Sequence, residues 1–160
     1  MAGPYFQVTA KTNAETVWKS VVLQAVFGYT TSYFTMKKNI VLFTPSLNPA
    51  SGFITTLSDD EDVRVTTVAT AEEMLRLVRE ESPALVVLEE GADARKAFDL
   101  VIDILSINAM VNTIMITAMD PESWHEKSEG LGMLEPLPVP PSATDARKLL
   151  ATLGRLGVFT

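Results

Sequence analysis

Pro83-Ala84-Leu85-Val86-Val87-Leu88-Glu89-Glu90-Gly91 is an unbroken apolar run that stops at two carboxylates and a glycine. The apolar residues Ala84 to Leu88, preceded by a proline and followed by charge, read as a strand buried on both faces at the centre of a parallel sheet. In such sheets ligands and chemistry gather at the carboxyl ends of the strands. Glu89 stands at that end and is the first candidate functional residue.

Working outward from this strand, the pattern is regular. Upstream, Ile40 to Phe43 is a first strand, and Asn48 and Pro49 suit the N-cap and first position of a helix whose apolar face is Ala50, Phe53, Ile54 and Leu57. An acidic turn, Ser58 to Asp62, leads into a second strand, Val63 to Val68, which is more polar than the first and so belongs nearer an edge. Thr70 and Glu73 form a capping box for a helix burying Ala71, Met74, Leu75 and Val78. Downstream, Asp93 is placed to cap a third helix with its face at Ala94, Ala97, Phe98, Val101, Ile102 and Leu105. Thr113 to Thr117 is a fourth strand. Asp120 and Pro121 open a fourth helix, short because Glu122 to Glu129 carries few apolar residues, and Gly130 and Gly132 end it. Met133 to Leu137 reads as a fifth strand, restricted to an edge because Pro136, Pro138, Pro140 and Pro141 cannot donate ladder hydrogen bonds. Ser142 caps a last helix that turns Ala146, Leu149, Leu150 and Leu153 inward. Strands and helices that alternate with short connections call for a parallel sheet covered on both faces.

Residues 1–35 differ from this pattern. Thr12-Asn13-Ala14-Glu15 resembles a capping box, and Ala14, Val17, Trp18, Val21, Val22, Ala25 and Val26 fall on one face of an amphipathic helix that Gly28 can stop. Three readings stay open for it: packing against the domain's own core, docking a partner or a second copy to make a homodimer, and lying on a membrane surface. Lys19 is the only basic residue in the helix, which disfavours the last. Met36-Lys37-Lys38 directly before a buried strand makes Met36 a candidate native start. The chain therefore divides into an N-terminal extension, 1–35, and a domain, 36–160.

Composition narrows the function classes. At 160 residues the chain fits one domain with one core. A net charge of −7 argues against a nucleic-acid face, which needs clustered Lys and Arg. The absence of cysteine excludes disulfides and cysteine-based metal sites or nucleophiles, and a single histidine, His125, leaves little for a histidine-built site. No apolar run reaches the ~20 residues of a membrane span, and the N-terminus lacks the pattern of a signal peptide. A cytoplasmic location is the default expectation, with no cofactor and no metal. Asp59, Asp60, Glu61 and Asp62 lack the ligand spacing and central glycine of a calcium loop and read as a solvated turn. Thr44 to Pro49 has neither the glycines nor the lysine of a phosphate-binding loop.

Five βα units, with an acidic residue ending the third strand and a threonine ending the fourth, resemble the receiver domain of bacterial response regulators, the CheY-like domains of two-component signalling. The segment Ile114-Met115-Ile116-Thr117-Ala118 is very like that family's fourth strand, and Gly132 sits where the family usually enters its fifth. The resemblance runs from Met36 to Gly157. It implies an α/β, flavodoxin-like, doubly wound five-stranded parallel sheet of order 2-1-3-4-5, here with an extra N-terminal helix. Receivers carry an acidic pair ending strand one, a phosphoacceptor aspartate ending strand three, a Thr or Ser ending strand four, and a lysine before a proline ending strand five. These positions fall on Thr44 and Pro45, Glu89, Thr117, and Val139 before Pro140. Four of the five have changed, and only Thr117 matches; Pro136 stands where receivers often have a switching aromatic residue.

The resemblance thus implies the frame of a receiver without its phosphorylation chemistry. Two readings of Glu89 stay open: a permanent carboxylate imitating the phosphorylated state, or a solvated residue at a loop start. Receivers commonly signal through the face built from helix four, strand five and helix five, and Met119, Trp124 and Met133 are the candidate partner-binding residues there. The function expected is a stand-alone pseudo-receiver that is not an enzyme and acts by protein–protein contact without phosphotransfer. The alternative is a small flavodoxin-like ligand-binding protein or enzyme using the crevice beside Thr44, Glu89 and Thr117.

Overall fold

A computed structural model describes residues 37–158 of the chain. The expected N-terminal helix lies outside the described residues, as does the boundary placed before Met36. Four strands, β1 (Lys38–Phe43), β2 (Val63–Thr67), β3 (Leu85–Glu89) and β4 (Asn112–Ile116), alternate with helices α1 (Gly52–Ser58), α2 (Ala71–Glu81) and α3 (Ala97–Ile107); α4 (Pro121–Ser128) and α5 (Ala143–Arg155) follow β4. The strands form one parallel sheet of order β2-β1-β3-β4.

Side chains alternate across a strand, so each buried run feeds two cores. On one face Val41, Phe43, Val86, Leu88 and Met115 meet α2, α3 and Trp124 of α4. On the other, Ile40, Leu42, Leu85, Val87, Ile114 and Ile116 meet α1 and α5 through Phe53, Leu57, Ala146, Leu149 and Leu153. Leu85 to Leu88 are wholly buried, as a central strand between two helical layers requires.

The fifth strand does not form as a ladder. Leu137 makes one isolated parallel bridge with Ile116; its N–H donates to the Met115 carbonyl (2.8 Å) and its carbonyl accepts from Thr117 N–H (3.0 Å). Leu134 N–H donates to the Thr113 carbonyl (2.9 Å). Thr113 and Met115 are two residues apart on β4, whereas Leu134 and Leu137 are three apart, so the segment carries an extra residue and cannot keep register. Pro136 and Pro138 flank Leu137 and have no N–H to give. Residues 133–137 thus occupy the place of a fifth strand beside β4 with one bridge where the sequence promised a strand.

Two helix starts also shift. Asn48 does not cap α1; its side chain accepts from Ala50 N–H (2.9 Å) in a local turn, and Ser51 is the N-cap. Asp93 likewise accepts from Arg95 N–H (2.9 Å), and α3 begins after Lys96 with no capping side chain. Asn and Asp close such turns as readily as they cap helices, so their presence alone does not place a helix start. The other three starts hold: Thr70 caps α2, Asp120 caps α4 with Pro121 first in the helix, and Ser142 caps α5 in a reciprocal capping box with Asp145.

Leu88→Ala opens a cavity in the most buried strand and should lower the unfolding free energy by about 2–5 kcal/mol in urea titration; a loss under ~1 kcal/mol would contradict a close-packed sheet centre. A second expectation concerns acid. Hydrogen bonds from the Ser142 hydroxyl and N–H hold the Asp145 carboxyl below its ordinary range. A folded-state pKa below the unfolded one contributes stability above the unfolded value and loses it as pH falls through the folded value. Asp145→Asn should therefore flatten part of the acid limb of the stability profile below about pH 4, read as Tm against pH.

Candidate functional site

The carboxyl ends of β1, β3 and β4 bring together Thr44, Pro45, Glu89, Glu90 and Thr117. Thr44 follows β1 and is buried. Its carbonyl accepts from Leu47 N–H (3.0 Å), closing a turn that carries Ser46 across to the end of β3. Ser46 N–H donates to Glu89 Oε2 (3.1 Å) and the Ser46 hydroxyl donates to Oε1. One serine therefore engages both oxygens of the Glu89 carboxylate.

Glu90 N–H donates to the Ile116 carbonyl (3.0 Å), and the Glu89 carbonyl accepts from Ala92 N–H (3.1 Å) in a turn where Gly91 has φ +82°. That left-handed conformation suits glycine. Glu89 ends β3 and Glu90 begins the turn beyond it, and the two carboxylates reach different neighbours. Glu89 meets the β1 loop, while Glu90 accepts from the Thr117 hydroxyl. Thr117 is only 5% exposed, and its hydroxyl also accepts from Met119 N–H (3.0 Å), starting the approach to α4. Asp120, the α4 cap, has its carboxyl held below the ordinary range by Ser123 N–H.

Val139 lies past the bridge at Leu137 with its side chain outward, 59% exposed, before a cis peptide to Pro140. Among the described residues no group of three or more His, Cys, Asp or Glu side chains is placed to hold a metal ion. His125 is exposed on α4.

The candidate partner face is corrected in one respect. Trp124 is buried, 8% exposed, with its ring centroid 5.9 Å from that of Phe98 at an interplanar angle of 47°. It is the one buried residue of α4, so a short polar helix has only this side chain with which to hold to the domain. Met119 and Met133 are half-buried against the same core. These three residues anchor α4 and the segment after it; they do not form an exposed patch.

Sequence reasoning misses the role of Ser46 and reads Glu90 only as a solvated residue, like Glu89, at the start of a loop. The position of Glu90 just past the end of a buried strand is the one available signal for a contact with the end of the next strand. Nothing in the loop sequence marks Ser46 as the partner of Glu89, because that contact depends on how the turn after β1 folds back.

No family model matches the sequence, and no curated protein matches it. Solved structures do. A CheY-like response regulator receiver domain protein from Methanospirillum hungatei is 18% identical, with a TM-score of 0.60 over 75% of this chain and 92% of that one. The signal receiver domain of an HD domain-containing protein from Pseudomonas fluorescens is 17% identical, with a TM-score of 0.62 over 79% and 91%. A LuxR-family two-component response regulator from Aurantimonas is 15% identical, with a TM-score of 0.62 over 73% and 84%. The described domain has the α/β fold of response-regulator receiver domains, with a four-strand sheet ordered as in that fold. No helix among the described residues is long and apolar enough to cross a membrane.

Thr117→Val keeps the shape of the side chain but leaves Met119 N–H without its acceptor. A destabilisation of about 1–3 kcal/mol is expected in urea titration, whereas a neutral effect would show that the Glu90–Thr117–Met119 chain carries no stability.

Proposed function

We propose that the chain is a receiver-like signalling domain that works by protein–protein contact and does not transfer phosphoryl groups. The observation that carries this reading is the engagement of both Glu89 oxygens by Ser46. In a receiver the phosphoacceptor must be open to the donor and must share a Mg²⁺ with an acidic pair. Here Thr44 supplies a buried hydroxyl, Pro45 supplies no side-chain donor, and the carboxylate is already held by the chain itself. A hard divalent cation needs several oxygen ligands, and the residues present do not fit it. Val139 supplies no ammonium to pair with a phosphate, and Glu89 is one methylene longer than aspartate, off the in-line position.

In this reading Glu89 is neither an active acceptor nor a free carboxylate imitating phosphate. It pins the β1 loop to the end of β3. Thr117 stands where receivers switch, but Glu90 fixes its hydroxyl without any phosphoryl group. The functional unit is 36–160, and its partners are proteins, with no role for nucleic acid. The crevice alternative has less support: the cavity beside Thr44, about 310 Å³, is lined by Leu42, Pro45, Leu47, Ile54 and Val68 and has no charged group.

Incubation with acetyl phosphate and Mg²⁺, followed by intact-mass spectrometry, tests the proposal. No phosphoryl adduct is expected; a Mg²⁺-dependent adduct mapping to Glu89 would overturn it. The same treatment of a Pro45→Asp, Glu89→Asp, Val139→Lys variant is expected to yield an adduct, because the frame is that of a receiver and only the chemistry has been replaced.

A further inference from the structure

The two edges of the sheet are built differently. Beside β4, the segment 133–137 is interrupted by Pro136 and followed by Pro138, and it makes a single bridge. Proline, irregular pairing and short length are the devices by which proteins blunt an edge against other strands. The β2 edge is also short, at five residues, and carries one charge, Arg64, but it has neither proline nor irregular pairing. Its register with β1 runs unbroken from Lys38↔Val63 to Leu42↔Thr67, and its sequence, Val63-Arg64-Val65-Thr66-Thr67, contains no proline and no lysine and is rich in β-formers.

The hydrogen-bond parity of β2 shows which groups face outward. Lys38 N–H donates to the Asp62 carbonyl (2.8 Å), and Val68 N–H donates to the Leu42 carbonyl (2.9 Å). The even-numbered residues of β2 therefore serve the ladder with β1. The N–H and C=O groups of Val65 and Thr67, and the C=O of Val63, point to the open side, where they have no partner among the described residues. Val63 N–H is used locally, on the Asp60 carbonyl (3.3 Å).

We propose that this edge pairs with the same edge of a second copy, antiparallel about a two-fold axis at Val65, so that two sheets become one. The outward groups, unpartnered among the described residues, are self-complementary in that register. Val65 exchanges N–H and C=O with the partner's Val65, and Thr67 N–H reaches the C=O of the partner's Val63, with the reverse bonds by symmetry. Cross-strand neighbours also agree. Arg64, held to Glu81 at 2.5 Å, falls opposite the partner's Thr66, so no like charges oppose each other along the strand. An edge of five residues makes a small interface, so the dimer is weak and depends on concentration. The inference is independent of the phosphotransfer reading, since it uses the outer edge of β2, which β1 separates from Glu89 on β3.

Sedimentation of the full chain, with amide hydrogen exchange at the same concentrations, is the test. As concentration rises to about 1 mM, a range suited to weak interfaces, the sedimenting mass should rise from 17.5 kDa toward twice that value, and exchange at Val65 and Thr67 should slow by about tenfold or more. Thr67→Pro removes an outward N–H that the β1 ladder does not use, and should abolish both effects while keeping the far-UV spectrum. A chain that stays monomeric overturns the proposal. So does a dimer in which these amides stay unprotected, protection that appears only when a different protein is added, or a dimer that Thr67→Pro leaves unchanged. If that variant does not fold, amide exchange in the unaltered chain decides alone.

Discussion

The complete burial of β3 is the constraint on which the rest of this structure depends. A strand with apolar side chains on both sides needs a helical layer on each face. Parallel neighbours in turn need crossover helices, and these supply the layers. Leu85 and Val87 are covered by α1 and α5, and Val86 and Leu88 by α2, α3 and Trp124. Once that stack is set, the loops after β1, β3 and β4 gather at one end, and whatever side chains they carry must meet there.

What meets there is a set of polar contacts within the chain. Ser46 answers Glu89, and Thr117 answers Glu90. In a receiver fold this end is kept reactive by leaving a carboxylate open among other acidic groups and a cation. Here the same geometry has been used to tie loops together. The half-buried carboxylate at the end of the central strand becomes a structural pin between the β1 loop and β3.

Much of the fold was legible because periodicity and buried runs act locally. The four ladder strands, the edge position of β2 and the caps at Thr70, Asp120 and Ser142 follow from patterns within a few residues. The failures share a cause. Asn48 and Asp93 look like helix caps, yet each closes a turn, because the same side-chain bond serves both. Met133 to Leu137 has the composition of a strand but loses register to an extra residue and two prolines. Trp124, on a nearly polar helix, invites reading as an exposed anchor, while packing against Phe98 gives the helix its only hold. At the site, the identities at Thr44, Pro45, Glu89 and Val139 were readable, but the Ser46 contact was not, because it spans a fold-dependent gap between two loops.

The central claim is that the Glu89 carboxylate is engaged by Ser46 and closed to metal and phosphoryl chemistry. The most direct measurement is a high-resolution crystal structure of the chain grown with Mg²⁺ and beryllium fluoride, a mimic of the phosphoryl group. Glu89 should retain both contacts to Ser46, with no metal or fluoride on its oxygens. A Mg²⁺ on Glu89 with Ser46 displaced would contradict the claim.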